Sequence, residues 1–313
     1  MNVTARYNAG LTGALWRGCP GADNGRARVP ARAGGEFCHR RPRRDRSNNG
    51  EFRGFFATRV RECPSLITRL FYFRMFANSR TVASAQTGPH DKLAALVDRH
   101  RDAVFRKPLA AYSAGAFDAA IAAWRNAGAA PLIIDAGCGV GESTLRLATQ
   151  FPDHFVIGID QSESRIVRGK DWWGGEWPEN FVWVRADLVD FWRQLFEAGI
   201  RPARHYLLYP NPWPKIGQLA RRWHAHAVFP TVVALGGVLE CRSNWDIYIE
   251  EMALALEWLG GVQPVVEAWA PEGDVAPMTP FERKYLASGH GLHRCVVTLP
   301  SSLDVSLDSL ARE

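Results

Sequence analysis

The 313-residue sequence has no two cysteines spaced as a C-x-x-C pair. This pattern argues against a zinc site or a disulfide framework and is typical of a protein kept in a reducing compartment. No apolar run approaches the ~20 residues that a membrane-spanning helix needs. We therefore expect a cytoplasmic globular protein with no metal site and no membrane association. The six cysteines are widely scattered, at Cys19, Cys38, Cys63, Cys138, Cys241 and Cys295.

Lysine is absent from the first 74 residues, which hold 15 arginines and five acidic residues. Residues 75–313 hold 23 basic and 27 acidic residues, so the basic net charge of +6 belongs to the N-terminal quarter. Residues 1–50 show no steady hydrophobic period. Their composition is typical of a disordered extension, or of upstream DNA translated from a wrong start codon. A nucleic-acid-binding arm and an Arg-rich transit peptide are the functional alternatives.

Methionine is also rare, and Met75 is the only one between Met1 and Met252. We expect residues 1–74 to be an Arg-rich disordered extension and the working protein to begin at Met75. The folded domain is expected over 75–302, followed by a tail over 303–313. A mass spectrum of the native protein that contained residues 1–74 would refute this start.

Strand and helix patterns alternate along the rest of the chain, with short loops between them. Such alternation predicts an α/β fold with a doubly wound, mostly parallel sheet covered on both faces. The last two strands, joined by a long non-helical loop, are expected to form an antiparallel hairpin at one edge. Strands are expected at 132–137, 154–160, 180–187, 205–209, 238–243, 262–269 and 293–299. Helices are expected near 91–106, 110–127, 142–151, 162–171, 189–198, 221–234 and 245–259.

A glycine-rich turn, D-A-G-C-G-V-G-E-S at 135–143, lies between the first strand and its helix. Glycines at Gly137, Gly139 and Gly141 allow a tight turn and a close approach to a ligand. Alone, such a turn is also compatible with a purely structural connection. The spacing is not the G-x-G-x-x-G that holds a pyrophosphate, and Asp135 beside it suits an amino-acid ammonium better than a phosphate.

Carboxylates also end the next two strands. Asp160 could accept both hydroxyls of a ribose, and Asp187 could accept a hydrogen bond from an adenine amino group. Each taken alone could be a helix cap or turn residue. Together with Asp135 they point into one crevice, where open parallel sheets bind ligands. Ammonium, ribose and adenine together indicate S-adenosylmethionine, and the constellation resembles Rossmann-like class I methyltransferases, which have seven strands.

A proline-rich loop, Y-P-N-P-W-P-K at 209–215, follows the fourth strand. Its three prolines exclude a helix and a central strand. In the resembled fold this strand end faces the methyl donor, so the loop lies where the acceptor must sit. Asn211 is therefore the candidate catalytic residue and a cofactor contact. Trp213 could stack on a base, which is typically worth ~1–3 kcal/mol.

Two enzyme families carry such a loop. Adenine amino-methyltransferases have an Asn/Asp-Pro-Pro-aromatic motif there. The tRNA (guanine-N7)-methyltransferases, which this chain resembles more closely, have P-D-P-W-P-K followed by R-R. Further resemblances to that second family are Q-T-G-P-H at 86–90, S-N-W-D-I-Y at 243–248 and T-P-F-E-R-K-Y at 279–285.

The resemblance implies S-adenosylmethionine as cofactor and a guanine of the tRNA variable loop as acceptor. It also implies cofactor binding by Asp135, Asp160 and Asp187. Asn211 and Asn244 stand where the family has acids. Another RNA, a free nucleotide or a small molecule therefore stays an alternative acceptor, and a non-catalytic tRNA-binding relic is a further alternative. Substrate contacts are implied for Trp213, Lys215, Arg221, Arg222, Asn244, Thr279 and Glu282.

Overall fold

The structure is a computed structural model that describes residues 78–103, 105–169, 176–271 and 275–300. The expected Arg-rich extension (1–74), the expected start at Met75 and the expected tail (303–313) lie outside the described residues. The domain boundaries therefore stay predictions.

The described residues contain one seven-stranded sheet. Its strands are β1 (Leu132–Ala136), β2 (Phe155–Asp160), β3 (Phe181–Arg185), β4 (Arg204–Leu208), β5 (Gly237–Ser243), β6 (Val265–Trp269) and β7 (Leu292–Leu299). The strand order is β3-β2-β1-β4-β5-β7-β6. The first five strands are parallel to one another, whereas β7 is antiparallel to both β5 and β6. The predicted fold class, a mostly parallel sheet with an antiparallel edge pair, is confirmed.

Eight α-helices surround the sheet within the described part of the chain. They are α1 (Leu93–Arg101), α2 (Ala111–Asn126), α3 (Glu142–Gln150), α4 (Glu163–Arg168), α5 (Leu188–Glu197), α6 (Phe229–Ala234), α7 (Asp246–Gly260) and α8 (Pro280–Ala287). The first and fourth of these helices are shorter than the spans predicted for them. Every strand from β1 to β4 is followed by a helix or a helical turn, as a doubly wound sheet requires.

The hydrophobic core lies on both faces of the sheet. Successive residues of a strand point to opposite faces. Accordingly, Leu132 and Ile134 of β1 pack in one buried cluster, whereas Ile133 packs in another. All five residues of β1 are buried. Burial on both faces explains why the central strands read as continuous apolar runs rather than as alternating patterns.

The chain order around β1 defines where a ligand is expected. β1 pairs with β2 on one side and with β4 on the other, so the chain first builds outward and then returns across β1. Ligands of open α/β sheets bind at this switch point, outside the carboxyl ends of the strands. The glycine turn after β1 and the proline loop after β4 both begin there.

The helix predicted near 221–234 is wrong over its first half. The chain instead forms two short 3-10 turns, Ile216–Arg221 and Trp223–Ala225, before α6 begins at Phe229. Arg222 lies between the turns with an extended backbone (φ −74°, ψ 141°). Pro230 lies in the first turn of α6, the place where a helix tolerates its missing N–H, so the helix cannot extend far before it.

The non-helical loop predicted between the last two strands is also wrong, because it contains α8. Thr279 caps this helix, its side-chain oxygen accepting a hydrogen bond from the Glu282 N–H. Pro280 occupies the first helical position. The residues T-P-F-E thus have the Thr-x-x-Glu spacing and the early proline that are typical of a helix N-terminus, a signal that sequence reasoning missed.

Candidate functional site

The glycine turn after β1 has the backbone that its sequence predicts. Gly137, Gly139 and Gly141 all have positive φ, of 80°, 62° and 81°. A Cβ added at Gly141 would clash with the indole of Trp183. A Cβ added at Gly139 would meet no atom within 4 Å, so the turn leaves open space on that side. This is the geometry of a backbone that a ligand can approach closely.

Asp135 lies beneath this turn and is 1% exposed. Its Oδ2 accepts hydrogen bonds from the hydroxyls of Ser143 (2.6 Å) and Thr144 (2.7 Å), both on α3. Burial raises the pKa of Asp135 to about 6, although these two hydrogen bonds act in the opposite direction. The carboxyl group therefore ties the end of β1 to the beginning of α3 and shapes the turn from below.

Asp160, at the end of β2, is bound directly to the same turn. Its Oδ2 accepts a hydrogen bond from the Gly139 N–H at 3.0 Å. Its Oδ1 accepts one from the Ser162 N–H at 2.7 Å, and Arg165 lies 3.5 Å away. The structure thus brings together the first two strand-end carboxylates and the glycine turn.

Asp187 follows β3 and begins α5. Its Oδ1 accepts a hydrogen bond from the Val189 N–H at 2.9 Å, so it is a helix N-cap. Its Oδ2 lies 3.4 Å from the Lys107 ammonium, which is half exposed. One oxygen of the Asp187 carboxylate therefore caps α5, as the helix-cap alternative predicted. The other oxygen pairs with the surface cation Lys107.

The proline-rich loop after β4 is strained at two residues. Tyr209 and Trp213 have positive φ, 54° and 46°, which is costly for a bulky side chain. The Oδ1 of Asn211 accepts a hydrogen bond from the Trp213 N–H at 3.3 Å. Strain of this kind persists only where surrounding contacts hold it, and it is concentrated at functional sites.

Trp213 and the residues around it form the exposed side of this loop. The Arg221 guanidinium lies over the Trp213 ring, 4.7 Å from its centroid, and both Arg221 and Lys215 are exposed. Such stacking of an arginine on an indole leaves the planar group able to meet phosphate. The structure thus brings together Trp213 and Arg221, two of the predicted substrate residues, whereas the third, Lys215, is exposed on the same loop.

Arg222 differs from its neighbour because its side chain is fully buried. It donates to the Trp213 carbonyl and to the carboxylate of Glu251, on α7. His224, also fully buried, hydrogen-bonds the same carboxylate at 2.8 Å. Arg222 thus has no exposed group for a phosphate in this structure, and it supports the loop from behind.

Two predicted substrate residues, Asn244 and Glu282, lie near the ends of β5 and α8. The Asn244 amide nitrogen lies 3.0 Å from His290 Nδ1. Glu282 is 1% exposed and accepts hydrogen bonds from Arg242 (3.2 Å) and from the Trp269 indole (3.2 Å). Thr279, the cap of α8, is also buried. Thr279 and Glu282 therefore hold α8 at the sheet edge, whereas Asn244 is partly exposed.

A column of aromatic rings on this side of the fold was missed by sequence reasoning. Tyr285 of α8 lies 5.6 Å from the ring of Tyr209 and 5.3 Å from that of His290, with the latter pair nearly parallel. Phe281, 54% exposed, continues the column at 6.1 Å. Once 280–287 is recognised as a helix, the four-residue spacing of Phe281 and Tyr285 would place them on one face.

An ion pair between α8 and α3 was also missed. Arg283 donates a hydrogen bond to the fully buried Glu142, the first residue after the glycine turn. Glu142 also accepts from Arg146 at 2.8 Å. The helix beside the proline loop is thereby attached to the glycine turn. The two residues are 141 positions apart, so no local pattern could indicate the contact.

The described residues contain neither a candidate metal site nor a candidate membrane-spanning helix. There, no cluster of three or more His, Cys, Asp or Glu side chains could hold a metal ion. Nor does any helix among those residues have the length and apolar character to cross a bilayer. Three described cysteines, Cys138, Cys241 and Cys295, are free and buried.

Comparisons with known proteins show the family of this chain. The model of a family described as "Putative methyltransferase" matches residues 129–295. A tRNA (guanine-N(7)-)-methyltransferase of Paraburkholderia xenovorans (strain LB400) is 27% identical over 170 residues, which are 52% of this chain and 64% of that protein. A protein of the same name from Bordetella pertussis (strain Tohama I) is 29% identical over 211 residues, 63% of this chain and 78% of its own. The chain thus spans somewhat less than two thirds of the Paraburkholderia protein.

Two solved structures are similar at a lower level. The 16S rRNA methyltransferase KamB is 17% identical with a TM-score of 0.40, over 54% of this chain and 87% of its own. A 16S rRNA (adenine(1408)-N(1))-methyltransferase from Catenulisporales acidiphilia is 20% identical with a TM-score of 0.40, over 56% and 91%. At this level of similarity neither match indicates a function.

Proposed function

Because the chain belongs to the methyltransferase family that its residues 129–295 match, we propose that it is an S-adenosylmethionine-dependent methyltransferase. The acceptor we propose is the N7 atom of a guanine in tRNA. The observation that carries this proposal is the hydrogen bond from Gly139 to Asp160, which joins a glycine turn and a strand-end carboxylate at the switch point of the sheet. The proline-rich loop begins at the same switch point.

The residues present fit the cofactor. The open side of Gly139 offers room beside the turn, and we propose that Asp160, hydrogen-bonded to that turn, binds the ribose. We propose Asp187 for the adenine, and Asp135 fixes the turn that would meet the amino-acid end. When bound, S-adenosylmethionine supplies an activated methyl group. The chain's own task is to orient the acceptor and to exclude water.

The acceptor is expected to stack beside Trp213. One face of the indole is covered by Arg221, so a base would use the other face. Base stacking on an aromatic ring is worth ~1–3 kcal/mol and does not depend on base identity. Asn211 is then the residue that reads a base edge.

No general base is needed for this reaction. Guanine N7 carries a free lone pair, so it can attack a methyl carbon without first losing a proton. Rate enhancement would come from orientation and desolvation, which the rigid proline loop favours. The replacement of the family's acids by Asn211 and Asn244 is compatible with this chemistry because neither must accept a proton.

Phosphate contacts are proposed for Lys215 and Arg221, which are exposed beside the loop. Residues 75–313 are slightly acidic overall, so tRNA binding must rely on such a local group of cations. A tRNA substrate would place the protein in the cytoplasm, and the three free buried cysteines fit a reducing compartment.

A second candidate keeps the fold and the cofactor and changes the acceptor. It is favoured by Asn211 and Asn244, whose amides read a base edge differently from carboxylates. Another RNA or a small molecule would then be methylated. A non-catalytic tRNA-binding relic is the third candidate, and it would bind tRNA without turnover.

The test is transfer of a labelled methyl group from S-adenosylmethionine to unmodified tRNA by the full chain. Wild-type protein should label tRNA, and Asp160→Ala should not, because the carboxylate beside Gly139 is lost. Asp153→Ala is the matched control, since Asp153 is an exposed carboxylate that precedes β2, whereas Asp160 ends that strand. Equal labelling by wild type and Asp160→Ala would show that the site is assigned wrongly.

A further inference from the structure

The buried Arg222 makes four hydrogen bonds within the described structure. Its Nε and Nη2 donate to the Trp213 carbonyl at 3.2 and 3.1 Å. Its Nη1 donates to Glu251 at 2.5 Å, and its Nη2 also donates to the Gln86 side chain at 3.0 Å. The guanidinium is thereby committed to protein partners, and none of its nitrogens is exposed.

Glu251 fixes this guanidinium from α7. Its Oε2 accepts from Arg222 and from His224, and its Oε1 accepts from the Gln86 amide (2.6 Å) and the His90 N–H (2.9 Å). Burial opposes ionisation, but the hydrogen bonds and charges of His224 and Arg222 lower the pKa of Glu251 to about 2. The carboxylate therefore stays charged and keeps its hold on Arg222 at all physiological pH values.

Trp213 is held on both sides of its Cα. Its carbonyl meets Arg222, and its N–H meets the Oδ1 of Asn211. The next carbonyl, of Pro214, accepts a hydrogen bond from the Ser84 hydroxyl at 2.7 Å. These contacts hold a residue whose φ of 46° is unfavourable for an indole side chain.

The same contacts set the direction of the Asn211 amide. A backbone N–H can only donate, so the oxygen of Asn211 must face Trp213 and the Nδ2 group must face away. The Nδ2 group of Asn211 is therefore the hydrogen-bond donor that the loop offers to a bound acceptor molecule. A base edge with an acceptor there, such as the O6 of a guanine, would satisfy it.

We propose that Arg222 is a positioning residue, which acts through Trp213 to fix both the indole and the donor face of Asn211. This inference rests on the proposed function for its catalytic consequence, but its structural part does not. It assigns different roles to two adjacent arginines: Arg221 lies exposed over the ring, and Arg222 holds the backbone from behind.

The test compares Arg222→Lys with wild type in the full chain. Lysine keeps the positive charge beside Glu251 but cannot make the forked contacts with Trp213 and Gln86. Arg101→Lys is the matched control, because Arg101 also donates to a tryptophan carbonyl, that of Trp258, in a different part of the fold. Hydrogen exchange of residues 209–215, cofactor affinity, kcat and KM are measured for each protein.

We expect faster exchange in the loop of Arg222→Lys, unchanged cofactor affinity, and a kcat lower by about 100-fold, the effect of a ~1 Å misplacement. Arg101→Lys should match wild type in all four measurements. Unchanged loop exchange in Arg222→Lys, or faster exchange with unchanged kcat and KM, would overturn the positioning role.

The positioning role stays testable if Arg222→Lys does not fold, and also if wild type transfers no methyl group. If Arg222→Lys does not fold, Ser84→Ala serves instead: it removes the contact with the Pro214 carbonyl, together with the hydrogen bond from the Gln86 N–H, and it leaves Arg222 in place. It should give the same changes at smaller size. Wild-type-like exchange and turnover in that variant would count against the inference. If wild type transfers no methyl group, the proposed function fails, while the exchange data still decide whether Arg222 holds the loop.

Discussion

In the proposed site, Asp135 and Asn211 belong to the cofactor half and the acceptor half, and single substitutions should separate the two. Asp135 shapes the glycine turn from below, whereas Asn211 lies on the proline loop with its amide turned by Trp213. We predict that Asp135→Ala abolishes binding of S-adenosylmethionine and that Asn211→Ala spares it. Calorimetric titration measures both. Tight cofactor binding by Asp135→Ala would show that the turn does not depend on this carboxylate.

The buried carboxyl group of Asp135 should also make stability depend on pH. Burial raises its pKa from the ordinary 3.8 to about 6, so the folded state holds a proton that the unfolded state has released between those values. This contribution is fully present below pH 3.8 and is lost as pH rises through about 6. The shift corresponds to about 3 kcal/mol of folding free energy.

Asp135→Asn removes this titration. Relative to that variant, wild type should lose stability between pH 4.5 and pH 7, which urea unfolding at the two pH values measures. A difference in unfolding free energy that does not change with pH would contradict the raised pKa.

At the scale of elements, α8 is the helix whose capping can be tested alone. Thr279→Ala removes the acceptor for the Glu282 N–H and should cost about 1 kcal/mol of stability. Ser162→Ala is the matched control, since Ser162 stands at the N-cap of α4 without a capping hydrogen bond from its side chain. Urea unfolding compares the two, and equal losses would show that the Thr279 cap does not stabilise α8.

The elements of this fold could be predicted from sequence wherever the hydrophobic pattern was continuous. β1 and β2 are buried on both faces, so their apolar runs were unambiguous. The segment around Arg222 could not be predicted in the same way. Its backbone conformation places Arg222 in a buried network with Glu251 of α7 and with Gln86. Local sequence propensity cannot indicate these partners, because both are distant in the chain.

The candidate site, like the fold, could be predicted from the sequence only in part. Glycines and strand-end carboxylates are adjacent to regular elements, so topology alone brought Asp160 to Gly139. Arg221 and Arg222 are neighbours of identical type, and only packing decides that one is exposed and the other buried. The contact of Arg283 with Glu142 joins distant parts of the chain, which one sequence cannot reveal.

For the whole molecule, the balance of charge limits how the proposed tRNA substrate could bind. Residues 75–313 carry more acidic than basic side chains, so the proposal requires a few phosphate contacts near the proline loop. We predict that tRNA affinity falls steeply with salt, and that Lys215→Ala or Arg221→Ala reduces the salt slope by about one. Gel shifts over a salt series measure this, with Arg101→Ala as the control. An affinity independent of salt would exclude a nucleic acid held by its phosphates.

The central claim is that this chain methylates N7 of a guanine in tRNA, and the nucleoside product tests it most directly. The full chain is incubated with S-adenosylmethionine and unmodified total tRNA, and the digested nucleosides are identified by mass spectrometry. The account predicts 7-methylguanosine, present with wild type and absent with Asp160→Ala. A different methylated nucleoside would show that Asn211 and Asn244 have redirected the acceptor. No methylated nucleoside, with the cofactor still bound, would contradict the claim.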